Sequence, residues 1–202
     1  NSIAGSDLTI TINSELQEYG ELLMSNKKGA IVAIEPSTGE ILSLVSAPSY
    51  NPNLLVGRER SKNYYELYTD SIYQPLIDKG LLSTFPAGSP FKIIVGLIAL
   101  QENIISDKST IYCNGAYIYG KNKKSMKCHC GGGYRNIYNG ISKSCNSYFA
   151  DIYRKTISID NKTSDNFDKW SRDVKSFGLG KFLNNDFQIG KKGMIPDSEF
   201  YN

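Results

Sequence analysis

The stretch Phe85-Pro86-Ala87-Gly88-Ser89-Pro90-Phe91-Lys92-Ile93-Ile94-Val95-Gly96-Leu97-Ile98-Ala99-Leu100 decides how this chain is read. Pro86, Ala87 and Gly88 end an irregular region, and Ser89 to about Glu102 is expected to be a helix. Ile94, Leu97 and Ile98 mark its buried face. Almost every position from Ile93 to Leu100 is apolar, which predicts a central helix. The run is far short of the roughly 20 residues that span a bilayer. Ser89 and Lys92 stand at i and i+3 and share a face, so the amine can reach the hydroxyl. Unpaired N–H groups and partial positive charge at a helix N-terminus suit an oxyanion. The same field, with burial, favours a neutral amine able to act as a base. Pro90 fits the first turn, where its missing N–H costs nothing.

S-x-x-K alone is weak evidence, because Ser25-Asn26-Lys27-Lys28 repeats it in a polar turn where nothing presents or buries the lysine. A plain N-cap serine with a solvated lysine competes for Ser89 as well. A second motif shifts that balance. Ser144-Cys145-Asn146 falls inside a helix expected over Ile141 to about Tyr153, where a hydroxyl and an amide could relay a proton and hold a substrate amide. S-x-N also arises by chance, at Ser61-Lys62-Asn63.

Upstream, Leu8-Thr9-Ile10-Thr11-Ile12 alternates like an exposed strand. Asn13-Ser14 can cap a helix running to about Met24, with Leu16, Tyr19, Leu22 and Leu23 at helical spacing. Gly29–Glu35 and Glu40–Ala47 are β-rich runs joined by Pro36-Ser37-Thr38-Gly39, a hairpin signal. Pro48 to Asp70 is polar and reads as a long surface connection. Downstream, Cys113 to Gly133 shows no regular pattern, and Lys121 to Lys127 reads as a solvated loop. Asp165 to Phe177 is a further helix, ended by Gly178-Leu179-Gly180, with Trp170 in the core.

Composition permits a folded domain: 40% hydrophobic, 11% aromatic and 21% charged over 202 residues, with 14 Tyr and 8 Phe to fill a core. A net charge of +3 with scattered basic residues argues against a nucleic-acid partner. Asn1 to Ile12 lacks the basic-then-apolar start of a signal peptide. Both ends read as cuts: the chain opens two residues before Ile3-Ala4-Gly5-Ser6 and stops at Phe200-Tyr201-Asn202 without a helix end or polar tail.

Three of the four cysteines, Cys113, Cys128 and Cys130, lie near the single histidine, His129. Thiolates with an imidazole make a tetrahedral zinc set. The spacing is not that of a standard finger, and three adjacent residues face one metal only through a tight turn, which Gly131-Gly132-Gly133 would permit. A disulfide from Cys113 to Cys128 or Cys130 is the alternative in an oxidising compartment, with free thiols a third reading. Cys145 reads as a buried helix residue rather than a ligand.

Together, Ser89-Pro90-Phe91-Lys92 and Ser144-Cys145-Asn146 resemble the first two active-site motifs of the serine penicillin-recognising enzymes. The hairpin Ala30 to Val45, Tyr50-Asn51-Pro52-Asn53 and Phe85 to Ser89 resemble class B penicillin-binding proteins. Leu54 to Arg60 and the cysteine-bearing stretch resemble the penicillin-binding protein 2 type of Bacteroidetes-like lineages. The resemblance runs from about Leu8 to Tyr201. It implies an α/β (α+β) transpeptidase fold like that of serine β-lactamases, with a helical lobe and an incomplete antiparallel sheet. Residues 1–28 would be a lead-in strand and helix, 29–47 the hairpin, and 89–202 the helical lobe with both motifs. The family's third motif, K-T-G or K-S-G on an edge strand, is absent, and Gly190-Lys191-Lys192-Gly193 lacks the hydroxyl residue. A chain cut before that strand would be catalytically crippled alone.

What the resemblance implies is a D,D-transpeptidase in which Ser89 attacks the D-Ala–D-Ala carbonyl of a peptidoglycan stem peptide. Lys92 would be the base, Ser144 the proton relay and Asn146 the holder of the peptide backbone. β-Lactams would acylate the same serine, no cofactor would be required, and a metal would sit near the active site as in some penicillin-binding proteins of type 2. The intact protein would be periplasmic, anchored in the inner membrane, and would work with a glycan polymerase of the elongation machinery that shapes the cell. The rival functions are a non-catalytic penicillin-binding sensor or scaffold, a serine β-lactamase and a small zinc-binding interaction module.

Overall fold

The structure is a computed structural model that describes residues 5–182 and 189–201. The start of the Ile3 to Ser6 opening and Asn202 lie outside the described residues. Contacts divide the chain into two units, Asn1–Thr84 with Asp186–Lys191, and Phe85–Asn185 with Lys192–Asn202.

In the first unit the hairpin forms as its turn signals require. Strand β1 (Gly29–Ile34) pairs antiparallel with β2 (Ile41–Ala47), with Gly29 opposite Ala47 and a bulge at Ala33/Ile34. The turn closes through Glu35 N–H to the Glu40 carbonyl at 2.9 Å. On β2 the alternate residues Ser43, Val45 and Ala47 are buried. Helix α1 (Ser14–Leu23) begins at Asn13, whose side chain accepts from the Leu16 N–H.

The face α1 presents differs from the apolar one expected. Leu22 is 70% and Tyr19 57% exposed, with Leu16 and Leu23 also outside. Gln17 does the work instead. Its Oε1 accepts from Leu44 N–H at 2.8 Å and Ser43 Oγ at 3.1 Å, and its Nε2 donates to the Leu44 carbonyl at 3.0 Å. An amide side chain thus satisfies backbone groups of β2 that would otherwise need a neighbouring strand. Leu8 to Ile12 is not a strand. Only the Thr11 hydroxyl and the Asn13 N–H reach β2, at 2.7 and 2.9 Å, and alternation without a ladder leaves Leu8 and Ile10 exposed.

The stretch from Pro48 to Asp70 is more regular than a polar connection. It holds a 3-10 turn, Pro52–Leu55, and helix α2 (Arg60–Thr69), which buries no residue. Local bonds sustain α2: Asn63 Nδ2 to the Leu54 carbonyl, Thr69 Oγ1 to the Tyr65 carbonyl, and Tyr64 stacked on Tyr68 at 5.9 Å. Ser61-Lys62-Asn63 lies in this helix. The short helix α3 (Lys79–Leu82) follows, capped by Asp78. Ser25 to Lys28 occupies the turn after α1, as expected of a surface S-x-x-K.

The second unit packs four helices, α4 (Phe91–Gln101), α5 (Ile137–Ser142), α6 (Asn146–Ile157) and α7 (Thr163–Ser176), around Ile98, Ala99, Tyr148, Ile152, Trp170 and Val174. Helix α4 buries Val95, Gly96, Ile98 and Ala99, while Leu97 is 47% and Ile93 50% exposed, so it is not covered all round. A Cβ on Gly96 would lie 2.7 Å from Ile137 Cδ1, so the glycine lets α4 approach α5 closely. The helix expected over Ile141–Tyr153 is instead two, α5 and α6, broken at Lys143–Cys145.

Two small sheets occupy Ile111 to Arg135, where no regular structure was expected: β3 (Ile111–Cys113) with β6 (Gly133–Arg135), and β4 (Ala116–Tyr119) with β5 (Lys124–Lys127). Strands of three or four residues are too short to show a period in sequence. Lys121 to Lys127 is therefore partly strand, with its side chains outside apart from half-buried Met126. Gly190 to Gly193 carries no regular structure. Among the described residues no helix is long and apolar enough to cross a membrane.

Candidate active site

Ser89 sits in the turn that opens α4, just after Gly88 in the left-handed region (φ 65°). Its Oγ is 3.2 Å from Lys92 Nζ, one turn on. The lysine is shared: Nζ lies 2.8 Å from the Ser144 carbonyl oxygen, 2.8 Å from Ser144 Oγ and 2.7 Å from Asn146 Oδ1. Ser144 Oγ in turn donates to Ser89 Oγ at 2.9 Å. Three of the four residues named from sequence thus converge on the amine of the fourth. No carboxylate pairs with Lys92 among the described residues. The ring of Phe149 lies 6.0 Å below it.

The break between α5 and α6 aims this second motif. Ser144 N–H bonds the Ile141 carbonyl at 2.9 Å and Cys145 N–H bonds the Gly140 carbonyl at 2.8 Å. Those two bonds are a Schellman ending for α5, which puts its C′ residue in the left-handed region, here Ser144 at φ 48°. Glycine is usual there; a side chain at that φ costs about 1–2 kcal/mol. The conformation points both the Ser144 carbonyl and its hydroxyl at Lys92. Asn146, first residue of α6, is fixed twice more: its Nδ2 donates to the Lys127 carbonyl at 3.0 Å, and its N–H to Cys128 Sγ at 3.1 Å.

Between Ser144 and Asn146, Cys145 faces inward. The Sγ atoms of Cys113, Cys128, Cys130 and Cys145 all lie within 4.8 Å of one another, and all four residues are buried. Neighbouring sulfurs are 3.5 Å apart for Cys128–Cys130 and Cys113–Cys130, and 3.6 Å for Cys128–Cys145. All four thiols are free, so the disulfide alternative does not hold. The expected ligand set is corrected as well. His129 is exposed while its neighbours Cys128 and Cys130 turn inward, as alternate residues of an extended segment do. Cys145, read from sequence as a bystander, supplies the fourth sulfur. Gly132, at φ 70°, folds the chain back so closely that a Cβ would lie 3.2 Å from the Cys113 carbonyl.

The thiols are electrostatically unequal. Burial pushes Cys128 up, yet hydrogen bonds from the backbone at Ser147 and Cys130 and from adjacent thiols outweigh it, bringing it to about 6. Burial also raises Cys130, but Arg135 beside it brings the balance below the ordinary value. Burial dominates at Cys145 and holds it well above the normal thiol range. Four soft, buried donors in one nest, one of them already inclined to ionise, suit a thiophilic cation.

The penicillin binding protein transpeptidase domain family matches residues 29–202. The chain belongs to that family. Its fold agrees: against Pseudomonas aeruginosa PBP2 in complex with WCK 5153 the TM-score is 0.82 at 32% identity, covering 98% of this chain and 43% of that one. The peptidoglycan D,D-transpeptidase MrdA of Acinetobacter baumannii is 33% identical over 199 residues, 97% of this chain and 28% of the relative. A penicillin G acyl-enzyme of penicillin-binding protein A from Mycobacterium tuberculosis aligns with a TM-score of 0.73 at 27% identity, covering 93% and 44%. The chain therefore spans less than a third of the MrdA relative's length. As a transpeptidase-family chain of the PBP2/MrdA type, it carries S-x-x-K at Ser89–Lys92 and S-x-N at Ser144–Asn146, and its α+β architecture is the one expected.

Sequence reading missed three contributors to the site. The Lys127 carbonyl and the left-handed Ser144 are backbone features with no residue-type signature. Cys145 could have been found: it stands where a helix N-cap belongs, and its Sγ accepts from the Tyr148 N–H at 3.4 Å.

Proposed function

We propose that this chain forms the nucleophile-bearing part of a peptidoglycan D,D-transpeptidase that acts on D-Ala–D-Ala stem peptides and is acylated by β-lactams. The observation that carries the reading is the Lys92 amine held between Ser89 Oγ and the Ser144–Asn146 pair. To act as a base, the Lys92 amine must offer a lone pair beside two N–H groups. The Ser144 carbonyl and Asn146 Oδ1 can only accept, so they take the two N–H groups. That leaves the lone pair for a hydroxyl hydrogen; Ser144 Oγ at 2.8 Å and Ser89 Oγ at 3.2 Å are both in reach, and this reading gives it to Ser89 as attack begins.

As Ser89 Oγ bonds to the scissile carbonyl carbon, its proton passes to Lys92 Nζ. The oxyanion faces the N–H groups at the start of α4, with a further N–H to come from the third-motif strand of a longer chain. The C–N bond then breaks. The departing D-alanine amine takes a proton from Ser144 Oγ, which Lys92 replenishes. An amine of a neighbouring strand attacks the ester carbon, restores the Ser89 hydroxyl and leaves a new amide, the cross-link. Asn146 holds the donor's backbone amide. No step calls for a cofactor.

The four-cysteine nest is proposed as a structural zinc site held by Cys113, Cys128, Cys130 and Cys145. Zinc in an all-thiolate site is closed and supplies folding energy rather than Lewis-acid chemistry. These cysteines tie β3, the segment after β5 and the start of α6 together, and so hold Asn146 and Ser144 against Lys92. The intact protein is proposed to work in the periplasm, anchored in the inner membrane beside an elongation-machinery glycan polymerase. Family membership supports that placement.

The test uses a chain extended through the third motif, given a D-Ala–D-Ala donor and a D-amino acid acceptor. Exchange of the terminal residue supports transpeptidation. Steady hydrolysis of penicillin would instead identify a β-lactamase, and a stable adduct without exchange a sensor.

A further inference from the structure

Each sulfur of the four-cysteine nest has an N–H donor, and the donors are not alike. Cys113 Sγ accepts from the Gly115 N–H at 3.4 Å, Cys128 Sγ from the Asn146 N–H at 3.1 Å and Cys145 Sγ from the Tyr148 N–H at 3.4 Å. Cys130 is served differently: the Arg135 guanidinium lies against its thiol, with the Gly132 backbone as a weaker second donor. Three sulfurs thus meet backbone dipoles, and the fourth meets a full positive charge. Arg135 comes from β6, whose pairing with β3 sets Gly133 opposite Cys113 and Arg135 opposite Ile111. One of its Nη groups donates to the Cys130 carbonyl at 2.8 Å and to the Gly132 carbonyl, and the other to the Tyr134 carbonyl at 3.0 Å. No carboxylate pairs with it among the described residues. Carbonyls therefore fix the guanidinium without neutralising it, and the ionisable groups whose charge it senses are Cys130, Cys145 and Cys113. Its Nε–H is buried without a partner, which is costly until an acceptor is supplied.

We infer that Arg135 is the counter-charge of the sulfur site, a positioning residue that lets four thiolates and one zinc ion stay buried together. The inference rests on the zinc reading of the nest. Zinc with four thiolates carries a net double negative charge, and buried charge without an opposite partner is unfavourable. Backbone N–H groups at Cys113, Cys128 and Cys145 soften that charge; Arg135 adds a whole opposite one. Arginine suits the place because its planar fork holds carbonyls on one side while its charge, which no protein environment removes, faces the sulfur. The consequence reaches the second motif, since two of the sulfurs belong to Cys145, beside Asn146, and to Cys128, which accepts the Asn146 N–H.

The experiment uses the chain extended through the third motif, loaded with zinc under reducing conditions and equilibrated against graded chelator. Zinc affinity is read from the metal retained, by native mass spectrometry. Arg135→Gln removes the charge and keeps amide donors, and its affinity falls roughly 10- to 100-fold, as loss of an outer partner of a metal site does. Arg135→Lys restores the charge and brings affinity back to within severalfold of wild type. Cobalt(II) in place of zinc reports the ligands directly: a thiolate-to-cobalt absorption band of wild-type intensity in Arg135→Gln shows that all four sulfurs still bind and that only affinity has changed. A weaker band means a lost ligand and overturns the counter-charge role, as does an affinity equal to wild type in Arg135→Gln. A lysine variant as weak as the glutamine one also overturns it, and Arg135→Lys decides alone if Arg135→Gln does not fold. If the folded, reduced wild type retains neither zinc nor cobalt, the zinc reading itself has failed and Arg135 has no charge to offset.

Discussion

Ser144 and Asn146 look one way and Cys145 looks the other, and the two environments could hardly differ more. On one side is a half-exposed cluster of two hydroxyls, an amide and an amine, with Lys92 Nζ within 3.2 Å of four oxygens. On the other is a buried nest of four sulfurs within 4.8 Å. The first holds the donors and acceptors a proton transfer needs. The second is closed off from solvent. Because three consecutive residues serve both, the rigid side sets the precision of the reactive side: Cys128 Sγ accepts the Asn146 N–H, and the Lys127 carbonyl next to it takes the Asn146 amide. The comparison teaches that the second motif is positioned from behind, through sulfur, as well as by its helix.

Short of removing the nucleophile, the change expected to act most strongly on the reactive side alone is Lys92→Ala. It removes the proposed base and should slow acylation of an extended chain by about 10³-fold, within the range for general base catalysis, while the melting temperature stays high. Stripping the proposed zinc should act on the sulfur side first. A chelator should lower the melting temperature by ~10 °C or more, as loss of several kcal/mol implies for a chain of this size, with zinc followed by native mass spectrometry. Cys113→Ala should do the same although, among the described residues, the Cys113 thiol hydrogen-bonds only Gly115 and Cys130 and none of Ser89, Lys92 or Asn146. If the metal-free chain melts normally and carries no zinc when purified, the nest is merely a packed set of thiols.

Ser144 separates backbone from chemistry. Both Ser144→Gly and Ser144→Ala remove the relay hydroxyl and should slow acylation. Only glycine relieves the left-handed strain, so the glycine variant should be more stable than the alanine one by about 1 kcal/mol in a denaturant titration. Equal stabilities would mean the turn is not strained as described. The smallest effect belongs to His129→Ala. Exposed and outside the sulfur nest, it should change stability by less than ~0.5 kcal/mol and leave metal content intact. A loss of zinc there would restore the Cys-His-Cys set read from sequence.

What sequence could and could not tell follows from where the signal resides. The hairpin at Gly29–Ala47 was legible because its turn residues and alternation are local, and so was α4, whose apolar run and preceding Pro-Ala-Gly leave few alternatives. Ser89, Lys92, Ser144 and Asn146 were named from two short motifs and a family resemblance, and the structure places the other three within hydrogen-bonding reach of the Lys92 amine. The break between α5 and α6 was hidden because serine, not glycine, fills the left-handed position. Helix α2 was hidden because it buries nothing and leaves no stripe. The sulfur cluster was misread by one residue: proximity in sequence favoured His129, whereas alternation along an extended segment points Cys128 and Cys130 inward and His129 out. Cys145, distant in sequence, reaches the nest only through the packing of α6.

The most direct test of the account is intact-mass spectrometry with peptide mapping after benzylpenicillin treatment of the chain extended through the third motif. A single added drug mass on the peptide containing Ser89, absent from Ser89→Ala, is the predicted result. A folded protein that stays unlabelled, or carries the drug on another residue, would contradict it.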